Sequence, residues 1–118
     1  MIVAVSAFGN TLDSKVNPRL GKCEYFVLYH TQTGTYRAID NTGRFSSGAA
    51  GVATTGLLND HEVTAVITGT VGPNAFTALE ACGIKVYTGA SGKVEDVLDK
   101  FLNGQFAEAK GPTPPQKK

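Results

Sequence analysis

The chain is poor in the residues that most often build metal centres and catalytic nucleophiles. Its 118 residues include two cysteines, Cys23 and Cys82, far apart and in no CxxC pair, and two scattered histidines, His30 and His61. That inventory offers neither zinc-type ligand spacing nor a disulfide framework. Charge of one sign is lacking too: the formal net charge is +1, which gives no polyelectrolyte signature for nucleic acid. No apolar run approaches the roughly 20 residues needed to span a bilayer. The first residues lack the basic flank and the length of a secretion signal. The expectation is a cytoplasmic protein with no membrane or nucleic-acid partner.

Carboxylates are missing where hydrolytic chemistry would want them. The first apolar run, 2–5, carries none, and Asp13, Asp40 and Asp60 fall in loops or at element ends. Asp96 and Asp99 belong to the outer face of the last helix pattern. Two-metal hydrolysis needs converging acidic ligands, so nuclease chemistry is disfavoured. No Ser–His–Asp or Cys–His pairing stands out, and a non-catalytic protein is expected. A GK[ST] phosphate loop is absent, and so is the spacing of the dinucleotide fingerprint.

What is present is the patterning of one α/β domain over residues 1–105, followed by a Pro/Lys tail, 106–118, whose composition predicts disorder. Residues 2–5 and 24–30 read as strands, the second with Tyr25, Val27 and Tyr29 facing one way and Phe26 and Leu28 the other. A turn at 31–34 leads to a third strand at 35–40. Residues 45–60 change to helical period, with Ala50, Ala53, Leu57 and Leu58 on one face and Ser46 or Ser47 as N-cap. A fourth, doubly covered strand is predicted at 63–68, a helix at 73–82, and a fifth strand at 84–87. A third helix at 94–102 presents Val94, Val97, Leu98, Phe101 and Leu102, with Ser91 as its cap. The order is β-β-β-α-β-α-β-α, a five-stranded mixed sheet flanked by three helices.

The most informative segment is 63–76, a buried strand, a glycine turn and the start of a helix. Such a junction aims backbone N–H groups and the positive end of a helix dipole at one spot. Gly69, Thr70, Gly72, Asn74 and Ala75 could form an anion cradle, although a plain strand-to-helix turn would need no ligand. Gly48, in a second small and donor-rich helix start, could line the same pocket or serve tight packing. The loop 16–23 places Arg19, Lys22 and Cys23 together. A thiolate beside positive charge forms more easily and can bind a soft metal, whereas a solvated loop with a half-buried Cys23 is the simpler reading. Cys82 falls on an apolar helix face and reads as an inert core thiol.

Four stretches taken together resemble a known family. They are Ile2-Val3-Ala4-Val5, the run from Val16-Asn17-Pro18-Arg19-Leu20-Gly21-Lys22-Cys23 to Phe26, Gly72-Pro73-Asn74-Ala75-Phe76, and Gly83-Ile84-Lys85-Val86-Tyr87. The chain resembles the dinitrogenase iron–molybdenum cofactor biosynthesis family, which includes cofactor carriers of nitrogenase maturation and the orange protein of sulfate reducers. The resemblance implies a ribonuclease H-like α/β fold and the binding or carrying of an anionic metal–sulfur cluster. That cluster would be an iron–molybdenum cofactor precursor or a molybdenum–copper sulfide. Nitrogenase-related members bear histidines in the loop where this chain has Arg19 and Lys22, so electrostatic capture of a polyanionic cluster is implied here, with Cys23 as a candidate metal ligand. The resulting expectation is a monomer that takes its cluster from, or gives it to, a partner protein. Two other readings use the same residues: a regulator or enzyme binding a small phosphate or nucleotide, and a protein-interaction module docking through the tail or an edge strand.

Overall fold

The structure is a computed structural model that describes residues 1–46 and 50–114. Five strands form one mixed sheet: β1 (Ile2–Ala7), β2 (Tyr25–His30), β3 (Tyr36–Asp40), β4 (Ala65–Ile67) and β5 (Lys85–Tyr87). Their spatial order is β3-β2-β1-β4-β5. β1–β2, joined by the long loop 8–24, and β2–β3, joined by a short turn, are antiparallel, and β1–β4 and β4–β5 are parallel. Three helices, α1 (Ala50–Asp60), α2 (Pro73–Ala81) and α3 (Val94–Leu102), complete the domain. The expected sheet and helices are therefore present, with strand ends shifted by a residue or two.

Alternation on the strands divides the core into two layers. Ala4, Phe26, Leu28, Val66 and Val86 point to one face, where Leu58 of α1 and Ala75, Phe76 and Leu79 of α2 cover them. Val3, Val5, Val27, Ala65 and Ile67 point to the other, under Val94, Val97 and Leu98 of α3. Tyr87 and Phe101 meet edge to face at 4.9 Å on that side. β1 and β4 lie inside the sheet and are almost entirely buried, which explains why their sequences read as unbroken apolar runs.

Several expectations need correction. The buried residues of α1 are Thr54, Thr55 and Leu58, so its inner face is rotated from the one marked by Ala50, Ala53 and Leu57. The threonines can be buried because Thr54 Oγ1 donates to Asn41 Oδ1 (3.0 Å) and Thr55 Oγ1 donates to Gly51 O (2.9 Å). Ser46 precedes α1 by several residues, and Ser47 lies outside the described residues. The N-cap of α3 is Lys93 and not Ser91. The N–H groups of Val94 and Glu95 are satisfied by the Ser14 and Leu12 carbonyls. Leu102 is exposed. The two cysteines exchange their expected places: Cys23 is fully buried and Cys82 is exposed.

The tail is also tied down further than its composition predicts. Glu108 pairs antiparallel with Tyr87, Ala109 N–H donates to Val86 O at 2.7 Å, and Thr113 N–H donates to Val71 O at 2.8 Å. Phe106 and Ala109 pack on the two core layers. The ordered chain thus runs past residue 106 and covers the otherwise open edge of β5. No helix among the described residues is long and apolar enough to cross a membrane.

Candidate functional site

A roomy concavity opens beside the carboxyl end of β4, where an open α/β sheet presents its loops. It has a volume of about 530 Å³ and three walls. One is the tight helical turn Leu20–Lys22 with Arg19 before it; the second is the start of α1; the third is the segment from Thr70 to Ala75 that opens α2. Arg19, Lys22, Gly72, Asn74 and Ala75, each predicted from sequence, line this one cavity. Gly48, also predicted, lies outside the described residues.

Backbone packing brings the walls together. A Cβ on Gly69 would sit 2.4 Å from Pro18 Cβ and 2.6 Å from Pro18 Cα. Only glycine lets the basic loop lie against the end of β4. Gly69 is thus a contact residue joining two walls and does not line the cavity. Likewise a Cβ on Gly51 would meet Ala75 Cβ at 2.8 Å, so α1 and α2 approach at their first turns. The contact at Gly69 is reinforced by Pro18 O, which accepts from Thr70 N–H (2.7 Å) and Thr70 Oγ1 (3.1 Å). Thr70 N–H, expected in the cradle, is therefore already committed.

Asn17 holds the basic loop, a role that the sequence reading missed. It is 5% exposed. Its Oδ1 accepts from Arg19 N–H at 3.1 Å, and its Nδ2 donates to Glu24 Oε1 at 3.1 Å. Its backbone exchanges bonds with Ser6: Asn17 N–H donates to Ser6 O (3.0 Å) and Ser6 Oγ donates to Asn17 O (2.7 Å). Only its place in an Asn-Pro pair after a long polar loop hinted at this. Ser6, at the end of β1, thus supports the loop from below.

The donors that face the cavity are unusually free. The N–H groups of Gly72, Asn74 and Ala75 have no protein acceptor among the described residues, whereas the start of α3 is plugged by loop carbonyls. Gly72, Pro73 and Asn74 are exposed, as are Arg19 and Lys22. Among the described residues no carboxylate lines the cavity. Among the described residues the one ion pair joins Arg44 to Asp40 at 3.1 Å, so neither cation of the basic loop is neutralised by an acid there. Two positive charges, a helix N-terminus and free N–H groups suit an anion.

Cys23 takes no part in this lining and is a correction to the predicted ligand set. Its Sγ donates to Leu20 O at 3.3 Å, and Asn41 Nδ2 donates to Cys23 O (3.0 Å). Burial pushes the thiol up to about 12, so at neutral pH it is a protonated thiol packed beneath the loop. No group of three or more His, Cys, Asp or Glu among the described residues could hold a metal ion. The donor set suits an anion that brings its own ligands to its metals and does not suit a bare cation.

Comparison with known proteins agrees in fold over nearly the whole chain. The family model described as dinitrogenase iron–molybdenum cofactor matches residues 1–104. The apo form of the orange protein from Desulfovibrio gigas superposes with a TM-score of 0.93 at 36% identity, covering 96% of each chain. A protein from Thermotoga of the DUF35 family superposes with a TM-score of 0.85 at 33% identity, covering 98% of each chain. An uncharacterised protein of Methanocaldococcus jannaschii is 26% identical over 97 residues, 80% of this chain and 82% of the relative.

Proposed function

This chain belongs to the dinitrogenase iron–molybdenum cofactor family, and from that premise we propose that it binds or carries an anionic metal–sulfur cluster without transforming it. The cluster is cargo, preassembled and coordinated by its own sulfides. Arg19 and Lys22 supply charge from one wall, and the N–H groups of Gly72, Asn74 and Ala75 supply fixed donors from the other. The observation that carries this reading is the lining of the cavity: among the described residues, two cations and unpaired N–H groups, with no carboxylate and no accessible thiol. A protein built to ligate individual metal ions needs the opposite inventory.

The choice of sulfide over oxide cargo rests on the family and not on the lining. The name of the similar protein from Desulfovibrio gigas points to a coloured form, and a molybdenum–copper sulfide is the cargo we assign, with an iron–molybdenum cofactor precursor as the other cluster of the same chemistry. The absence of histidine from the loop at Arg19–Lys22 supports capture by charge. A partner that donates or receives the cluster follows from the role of a carrier.

Anaerobic purification followed by metal analysis and a visible spectrum tests the proposal. Molybdenum retained with a charge-transfer band supports it. A colourless protein that stays metal-free after incubation with tetrathiomolybdate and Cu(I) sinks it. Thermal stabilisation by a nucleotide or sugar phosphate, with none by tetrathiomolybdate, would replace it with a phosphate-binding role.

A further inference from the structure

The cavity's α2 wall is held from outside the domain core by the segment that follows α3. Gly104, at φ +73°, ends that helix, and the chain turns back along β5 through the Tyr87–Glu108 bridge and the Ala109–Val86 hydrogen bond. It then reaches Val71, the residue immediately before the N-cap Gly72 of α2. There Thr113 forms a two-way clamp. Its N–H donates to Val71 O at 2.8 Å, and its Oγ1 accepts from Val71 N–H at 2.9 Å. Val71 as a whole is 2% exposed, so this residue is held by packing as well as by its backbone bonds. On the other flank Thr70 is tied to Pro18. The Thr70–Gly72 turn therefore hangs between the basic loop and the strap, and it aims the free N–H groups of α2 into the cavity. Thr113 and Pro114 line a shallower hollow that shares Thr70 and Gly72 with the main cavity. The strap lies beyond the residues that the family model matches, 1–104.

We infer that Thr113 is a positioning residue for the anion site, and that the C-terminal strap sets its affinity. The inference rests on the cluster-binding reading above. A pre-set donor array binds an anion without having to order itself first. Removing one side of the clamp frees the turn, and Val71 N–H, in a partly buried position, is left without its acceptor.

The test compares wild type with Thr113→Val and Thr113→Ser. Binding of tetrathiomolybdate with Cu(I) is followed by visible absorption, and melting is followed in the absence of ligand. Thr113→Val keeps the shape and loses the acceptor, so binding should weaken about fivefold to tenfold. Thr113→Ser keeps the hydroxyl and should restore affinity to within about twofold of wild type, since the hydroxyl bond and not the methyl group makes the clamp. Amide exchange at Asn74 and Ala75 in the ligand-free protein should quicken in the valine variant and not in the serine one. If wild type binds and the valine variant binds equally well with unchanged exchange, the clamp has no such role. If wild type binds nothing while exchange still quickens, the cluster-binding reading fails and takes the binding role of Thr113 with it, leaving only a local clamp.

Discussion

Replacing Gly69 by alanine should separate the two walls of the site. The added Cβ would lie 2.4 Å from Pro18 Cβ, 2.6 Å from Pro18 Cα and 3.0 Å from Pro18 O. Two of those atoms are backbone, so no side-chain rotation relieves the clash; the loop must move away. Overpacking of this kind costs about 1–3 kcal/mol. Displacing the loop also weakens the bond from Thr70 N–H to Pro18 O, which is 2.7 Å long, at about 1 kcal/mol for a typical neutral pair. For a domain of this size about 4 °C of melting temperature accompanies each kcal/mol. Gly69→Ala should therefore melt about 8–16 °C lower by calorimetry. Gly72→Ala is the matched control: its Cβ would meet nothing within 4 Å, and its φ of −78° suits alanine. That variant should melt within about 2 °C of wild type, or slightly above it. Equal melting of Gly69→Ala and wild type would refute the idea that Pro18 and Gly69 join the walls.

Other outcomes follow from the same geometry. Gly56 lies within α1 with nothing within 4 Å of its Cβ position, so Gly56→Ala should raise stability by about 0.5–1 kcal/mol in urea unfolding. In the native protein a thiol reagent should modify Cys82 alone, with Cys23 reacting only after denaturation, because Cys82 is exposed and Cys23 is buried. Cys23 also gives a pH dependence with a definite sign. Its folded value of about 12 stands above the ordinary 9.0, so the unfolded thiol ionises first and stability is lost as pH rises from 9.0 toward about 12. Cys23→Ala, though less stable at neutral pH, should show a smaller loss across that window in pH-resolved melting.

Elements whose side chains follow their period could be read directly. The helix α3 stands at Val94–Leu102 as predicted because its apolar spacing has no competitor, and the alternation of β2 sends Phe26 and Leu28 to one layer and Val27 to the other. The meeting of Arg19 and Lys22 with Gly72, Asn74 and Ala75 was suggested by composition and resemblance, but no local pattern could locate it, since the contact is made by Pro18 on Gly69 across the sheet's end. Polar residues that are buried because they find partners escaped notice: Thr54 reads as surface until Asn41 receives its hydrogen bond, and Asn17 reads as loop until its side chain holds Arg19 N–H. The cysteines were misplaced for a similar reason. Cys23 sits among charged neighbours in sequence yet under them in space, whereas Cys82 falls just past the end of α2, where the helix has already turned outward. The tail has a disordered composition, but two apolar residues, the large Phe106 and the small Ala109, dock it on the two core layers.

The role of the basic loop is tested most directly by equilibrium binding of tetrathiomolybdate with Cu(I) to wild type and to the double variant Arg19→Ala/Lys22→Ala, at low and high salt. Both side chains are exposed and neither is neutralised by an acid among the described residues, so the double variant should keep its melting temperature. Wild type should bind with an affinity that falls as salt rises, and the variant should bind at least about tenfold more weakly with a flatter salt dependence. Equal binding by the two proteins, or binding that salt does not touch, would contradict capture of the cluster by charge.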